Sequence, residues 1–220
     1  MVFILLNCKT YDEATGTNAV SIAKACRDVS ESSGLEIAVA PQFPDLFRVA
    51  SAVKVPVFAQ HVDGSGAGSY TGSIYVKGIK EAGAVGSLIN HSEKRLTLAE
   101  IEKSLSVLQE NKMRSVICTN NVATTAAAAA LFPDYVAIEP PELIGSGIAV
   151  STANPKIISD SVDAVKKINK KTVVLCGAGI SKGEDLKAAL ELGAGGVLLA
   201  SGIIKSKDPK AALEGLVSLI

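Results

Sequence analysis

Tryptophan is absent from the 220 residues, and the aromatic complement is four tyrosines and five phenylalanines. A core built from this chain must therefore rest on Val, Ile, Leu and Ala, the usual material of parallel strands buried on both faces. An excess of one charge is missing as well, since Lys plus Arg and Asp plus Glu both number 22. Without a basic stripe or an acidic tail, nucleic acid and a charged membrane surface are poor partners. The four cysteines, Cys8, Cys26, Cys118 and Cys176, match no zinc or redox spacing. A chain this long needs no disulfides for stability, so a reducing compartment is the simpler reading. No apolar run approaches a transmembrane span. Residues 2–6 are too few for a signal peptide and follow no basic segment. The expectation is a cytoplasmic protein with no membrane association.

What the chain does contain is regular alternation. Apolar runs lie at 3–6, 36–40, 55–59, 86–89, 115–118, 135–138, 172–176 and 196–199. They are short and mostly lack polar alternation, as strands covered on both sides require. Helical patterns fill the gaps at 18–31, 46–52, 74–82, 98–111, 122–131, 155–168, 183–192 and 209–219. In 98–111, Ile101, Leu105 and Leu108 share one stripe, and Thr97 with Glu100 forms a capping-box pattern. Eight βα units without a composition break predict one parallel sheet, either a closed barrel or an open doubly wound sheet. Roughly 27 residues per unit is short but feasible for a barrel. Residues 81–90 echo residues 191–200, half the chain away, which suits a barrel of two similar halves. Any helix–glycine–strand junction would also look like this. The expectation is a single (β/α)8 barrel domain spanning 1–220.

In such a barrel the site occupies the C-terminal ends of the strands. The residues just beyond each run are Asn7 and Lys9, Gln60 and His61, Asn90 and His91, then Thr119, Asn120 and Asn121. Glu139, Gly177 to Gly179 and Ala200 to Gly202 complete the rim. A potential acid, base, cation and phosphate cradle converge there.

In chain order, Asn7-Cys-Lys9, Asn90-His-Ser-Glu93, Glu139-Pro140 with Gly145-Ser-Gly147, Cys176-Gly-Ala-Gly179 and Ala200-Ser-Gly202 resemble the strand-end motifs of the triosephosphate isomerase family. The short length, the Asn90 variant and Glu139-Pro-Pro-Glu142 resemble its archaeal branch. The match covers nearly the whole chain. The resemblance implies a TIM barrel that interconverts dihydroxyacetone phosphate and glyceraldehyde 3-phosphate, a phosphorylated triose, without metal or organic cofactor. Glu139 would be the base at carbon, and His91 would polarise the carbonyl. By the same resemblance Ser92 and Glu93 after it would start a helix whose N-terminus disfavours imidazolium, so that His91 would act as a neutral donor. Lys9 would place positive charge beside the developing enediolate and the phosphate, and Asn7 would orient it and hydrogen-bond substrate, with Glu93 and Ser92 in support. Gly177, Ala178, Gly179, Ala200 and Ser201 would hold the phosphate through backbone N–H groups. Pro140, Pro141, Glu142, Leu143, Ile144, Gly145, Ser146 and Gly147 would form a lid, with the Gly145 amide closing on the phosphate. Residues 64–72 resemble the family's protruding third loop, with Tyr70 and Thr71 contacting a neighbouring subunit in a homo-oligomer, dimer or tetramer.

Departures from the family pattern are Glu142 in place of a hinge tryptophan, Cys176 for a tyrosine, Gly179 for a phosphate-loop serine and Lys94 for an arginine. Two rival readings remain at this level. One is a phosphate-binding barrel that forms a lysine Schiff base. The other is a silent barrel that binds a phosphometabolite without turnover.

Overall fold

The computed structural model describes residues 2–144 and 148–220. The first half contains β1 (Phe3–Asn7), α1 (Thr17–Ser33), β2 (Glu36–Ala40), α2 (Phe43–Ala52), β3 (Phe58–Ala59), α3 (Val76–Glu81), β4 (Gly86–Ile89) and α4 (Leu98–Glu110). The second contains β5 (Arg114–Thr119), α5 (Val122–Ala129), β6 (Tyr135–Ile138), α6 (Val150–Ala153), α7 (Pro155–Ile168), β7 (Val173–Gly177), α8 (Gly183–Glu191), β8 (Gly196–Leu199), α9 (Ser201–Ile204) and α10 (Pro209–Val217). Short 3-10 turns add Asp12–Ala14 and Pro141–Leu143.

All strand pairs are parallel, in the order β2-β1-β8-β7-β6-β5-β4-β3. A parallel bridge between Val39 and Val57 joins the two outermost strands. That bridge decides between the two architectures: the sheet curls into a near-closed TIM barrel. The seam is its weakest part. An expected strand over 55–59 shrinks to Phe58–Ala59, because Pro56 has no N–H to donate and only its carbonyl is used, by Val39 N at 3.0 Å.

The side-chain period of two divides the strand residues between two cores. Phe3, Leu5, Ala38, Ala40, Phe58, Leu88, Val116, Cys118, Ala137, Leu175 and Leu198 fill the barrel. Their neighbours Ile4, Leu6, Ile37, Ile89, Ile117, Ile138 and Val197 face the helices. Each fully buried branched side chain contributes about 1.5–3 kcal/mol from removal of its surface from water. At the N-terminal end Phe3 stacks on Tyr135 at 4.7 Å, and the Arg114 guanidinium lies 5.4 Å from the Phe3 ring and 5.0 Å from the Phe58 ring. Glu36 holds that guanidinium at 2.6 Å. This plug closes the end of the barrel opposite the strand C-termini.

The echo between 81–90 and 191–200 is one junction used twice. Gly83 and Gly193 both adopt left-handed φ, 97° and 93°, just past α3 and α8. The following amides bond back into the helix, Ala84 to Ile79 at 3.0 Å and Ala194 to Ala189 at 3.1 Å. The Thr97–Glu100 capping box on α4 is present as expected. Among the described residues no helix is long and apolar enough to cross a membrane.

Candidate active site

Asn7, Lys9, Tyr11, His91, Glu93, Glu139, Ile144, Ala178, Gly179, Ile180 and residues 198–202 line one cleft of about 270 Å³ at the C-terminal rim. Its size suits a small ligand. Carboxylate, imidazole and ammonium arrive from β6, β4 and β1, and meet because parallel strands in a barrel all end on the same side.

Lys9 sits just beyond β1 with a left-handed backbone, φ 46°. Two groups hold it there. Its N–H donates to Asn7 Oδ1 at 3.0 Å, and its carbonyl accepts from Gln60 Nε2 at 2.9 Å. Its ammonium pairs with Glu93 Oε1 at 2.7 Å while the side chain stays mostly buried. Glu93 also braces His91: its backbone N–H donates to His91 Nδ1 at 3.2 Å. A nitrogen that accepts an N–H carries no proton, so in the neutral ring the proton lies on Nε2. The expected helix start at Ser92 is not found. Residues 92–94 form a turn closed by Lys94 N to His91 O at 2.8 Å, and α4 begins at Leu98. His91 Nδ1 is therefore held by a backbone N–H of a turn, not by a helix end.

His91 Nε2 points at Glu139 Oε2, 3.8 Å away. Both atoms are buried, and neither has a hydrogen-bond partner among the described residues. A buried donor and a buried acceptor left unsatisfied cost stability, so such a pair facing a cleft marks a place where a ligand is to be bound. Gly177 makes the approach of Glu139 possible, since a Cβ there would collide with Glu139 Cγ. Burial, and then the Glu139 charge, hold the Cys118 thiol on β5 well above its ordinary value, so it stays protonated. Burial likewise raises Cys176, with Asp185 and Glu139 adding to the effect.

Ala178, Gly179, Ala200, Ser201 and Gly202 form the opposite wall. Small side chains there leave the backbone open to a ligand. Ser201 and Gly202 begin the four-residue α9, whose first amides have no intrahelical partner. Gly177 lies one layer deeper, against Glu139. Gly179 packs so closely on the Ile148 carbonyl that a side chain would not fit, which accounts for glycine where the family usually has serine. Pro140 is buried, Glu142 is exposed, and Ile144 reaches the cleft. The lid positions Gly145, Ser146 and Gly147 lie outside the described residues.

Comparison with known proteins agrees with this geometry. A family model described as triosephosphate isomerase matches residues 2–219. The chain belongs to the triosephosphate isomerase family. It is 71% identical over 218 residues to "Triosephosphate isomerase" of Methanosarcina acetivorans, covering 99% of this chain and 98% of that one. It is also 71% identical to the Methanosarcina barkeri protein of the same description, with the same coverage. Identity to that of Methanothermobacter thermautotrophicus is 60% over 197 residues, 90% of this chain and 86% of the relative. These relatives are archaeal and of the short form, as the sequence motifs suggested.

Not every strand-end residue of this chain enters the cleft. Gln60 and His61 line an adjoining recess with Thr10, Phe43 and Lys94. Thr119 hydrogen-bonds Thr125, and Asn121 caps α5, so the end of β5 serves the fold. Tyr70 and Thr71 are exposed at the tip of the third loop. The base of that loop is closed by Asp63, which accepts from Ile74 N at 2.6 Å and pairs with His61 Nε2 at 3.0 Å. Sequence reading did not find the bracing roles of Gln60 and Asp63. Only the strand-end positions of Gln60 and His61 offered a signal. Among the described residues no group of three or more His, Cys, Asp or Glu could hold a metal ion.

Proposed function

We propose that the protein interconverts dihydroxyacetone phosphate and D-glyceraldehyde 3-phosphate through an enediolate, with Glu139 as base and His91 as electrophile. The observation that carries the reading is the unpartnered pair, His91 Nε2 and Glu139 Oε2, facing one cleft 3.8 Å apart beside the Lys9 ammonium.

The chemistry follows from those positions. Glu139 removes a proton from carbon 1 of the ketose, while His91 Nε2–H donates to the carbonyl oxygen at carbon 2. The electron pair of the broken C–H bond becomes the enediolate double bond. Lys9, oriented by Asn7, stabilises the negative charge that builds up on oxygen. His91 then carries a proton between the two oxygens, and Glu139 returns its proton to carbon 2 to give the aldose. The backbone of Ala178, Gly179, Ala200 and Ser201 holds the phosphate throughout. Residues 140–147 act as a lid that excludes water and so suppresses loss of phosphate from the enediolate. The ion pair of Lys9 with Glu93 suits a fixed positive charge better than the nucleophilic amine of the Schiff-base alternative.

The enzyme serves glycolysis and gluconeogenesis in the cytoplasm as a homo-oligomer, dimer or tetramer. The loop 64–72 presents Tyr70 and Thr71 to a second copy near its Asn7 and Lys9. A coupled assay with Glu139→Gln and Glu139→Asp tests the catalytic assignment. The wild type turns over rapidly and Glu139→Gln loses about 10³-fold or more in kcat. An amide variant as fast as wild type removes Glu139 from its role.

A further inference from the structure

We propose that Asn90 is a positioning residue for His91, setting the distance between imidazole and carboxylate. The proposal rests on the roles assigned above to His91 and Glu139. Asn90 joins β4 to His91 with a left-handed backbone, φ 61°. Glycine meets that requirement at no steric cost, and asparagine is among the few other residues that tolerate it. The side chain must therefore supply something glycine lacks.

It supplies two buried hydrogen bonds. Nδ2 donates to the Cys118 carbonyl on β5 at 2.9 Å, and Oδ1 accepts from Leu96 N–H at 2.8 Å. A carbonyl can only accept and a backbone N–H can only donate, so the amide has one possible orientation. The first bond fixes the segment to the strand whose Thr119 carbonyl accepts from the Glu139 N–H at 2.8 Å. The second ties down the far end of the turn that carries Glu93, whose amide holds His91 Nδ1. One amide thus clasps both ends of the His91 turn and seats it on the strand that supports the base. The geometry points to a device that keeps His91 Nε2 over the reacting oxygens, rather than to a contact with substrate.

Steady-state kinetics on purified Asn90→Gly, His91→Gln and the double variant test this. Asn90→Gly retains the left-handed backbone and removes both bonds. It is expected to lower kcat roughly tenfold to a hundredfold, with KM within about twofold of wild type. In the His91→Gln background the same change is expected to cost far less, because Asn90 acts through His91. A bracing role in folding alone would lower thermal stability and leave kcat and its pH profile unchanged. If Asn90→Gly does not fold, Asn90→Asp takes its place, keeping the acceptor for Leu96 and losing the donor to Cys118. Wild-type kcat in the folded Asn90 variant, or an equal loss with and without His91, overturns the proposal. Wild-type kcat in His91→Gln instead overturns the role of His91 on which it rests.

Discussion

The Cα of Gly177 on β7 lies directly against the side chain of Glu139, which follows β6, with no space for a Cβ between them. A strand residue that looks like part of a phosphate cradle is thus also the floor under the proposed base. Gly177→Ala is expected to push the carboxylate from its place by a fraction of an ångström to an ångström. That displacement should lower kcat by about 10²-fold with a modest change in melting temperature. Kinetics and thermal melts on the variant check this. Unchanged kcat would show that the carboxylate needs no such seat.

Glu93 serves two functional groups at once, the Lys9 ammonium through its carboxylate and His91 Nδ1 through its backbone. Glu93→Gln keeps the turn and the backbone bond but removes the countercharge. Lys9 is then held less firmly, and kcat/KM is expected to fall by about 10- to 100-fold. Glu93→Asp, which keeps the charge on a shorter arm, should recover part of the loss.

The His61–Asp63 clasp makes stability depend on pH. Burial holds His61 below its ordinary value of 6.5; the nearby Lys94 charge acts in the same direction, and the Asp63 hydrogen bond opposes both. The folded state therefore binds fewer protons than the unfolded state just below pH 6.5. Stability is fully present above that value and falls as pH drops through the folded-state value. Burial raises Asp63, but hydrogen bonds from Ile74 and His61 outweigh it and leave the carboxyl low. Its contribution is lost only at more acidic pH. Denaturant titrations from pH 7.5 to 5 should show wild type weakening, and His61→Asn should flatten that slope.

Legibility in the sequence followed distance along the chain. The eight strands lie close to the apolar runs because a strand buried on both faces needs uninterrupted apolar residues. Lys9, His91 and Glu139 were legible as a set because parallel topology sends every strand end to one rim. Asn90 to Cys118 and Gln60 to Lys9 join residues 28 and 51 positions apart, and no local pattern encodes such bonds. The Ser92–Glu93 pair read as a helix start because polar residues after a strand favour turns and caps alike. At β3, Pro56 removed a donor that the apolar pattern alone does not register.

The N-terminal plug separates stability from catalysis. Arg114 spans Phe3, Phe58 and Glu36 at the end of the barrel away from the cleft. Arg114→Met keeps the apolar stem and loses the ion pair and the cation–π contacts. About 1–2 kcal/mol of stability should go with them, a figure kept small because both charged groups are partly solvated. Denaturation midpoints measure the loss, and kcat per folded molecule should stay within about twofold of wild type.

Incorporation of solvent deuterium into the carbon positions of the triose phosphate most directly tests proton shuttling by Glu139. Wild-type enzyme in D2O should deliver deuterium to carbon as it turns over. Folded Glu139→Gln should exchange at least about 10³-fold more slowly. Exchange at the wild-type rate in that variant would contradict the account.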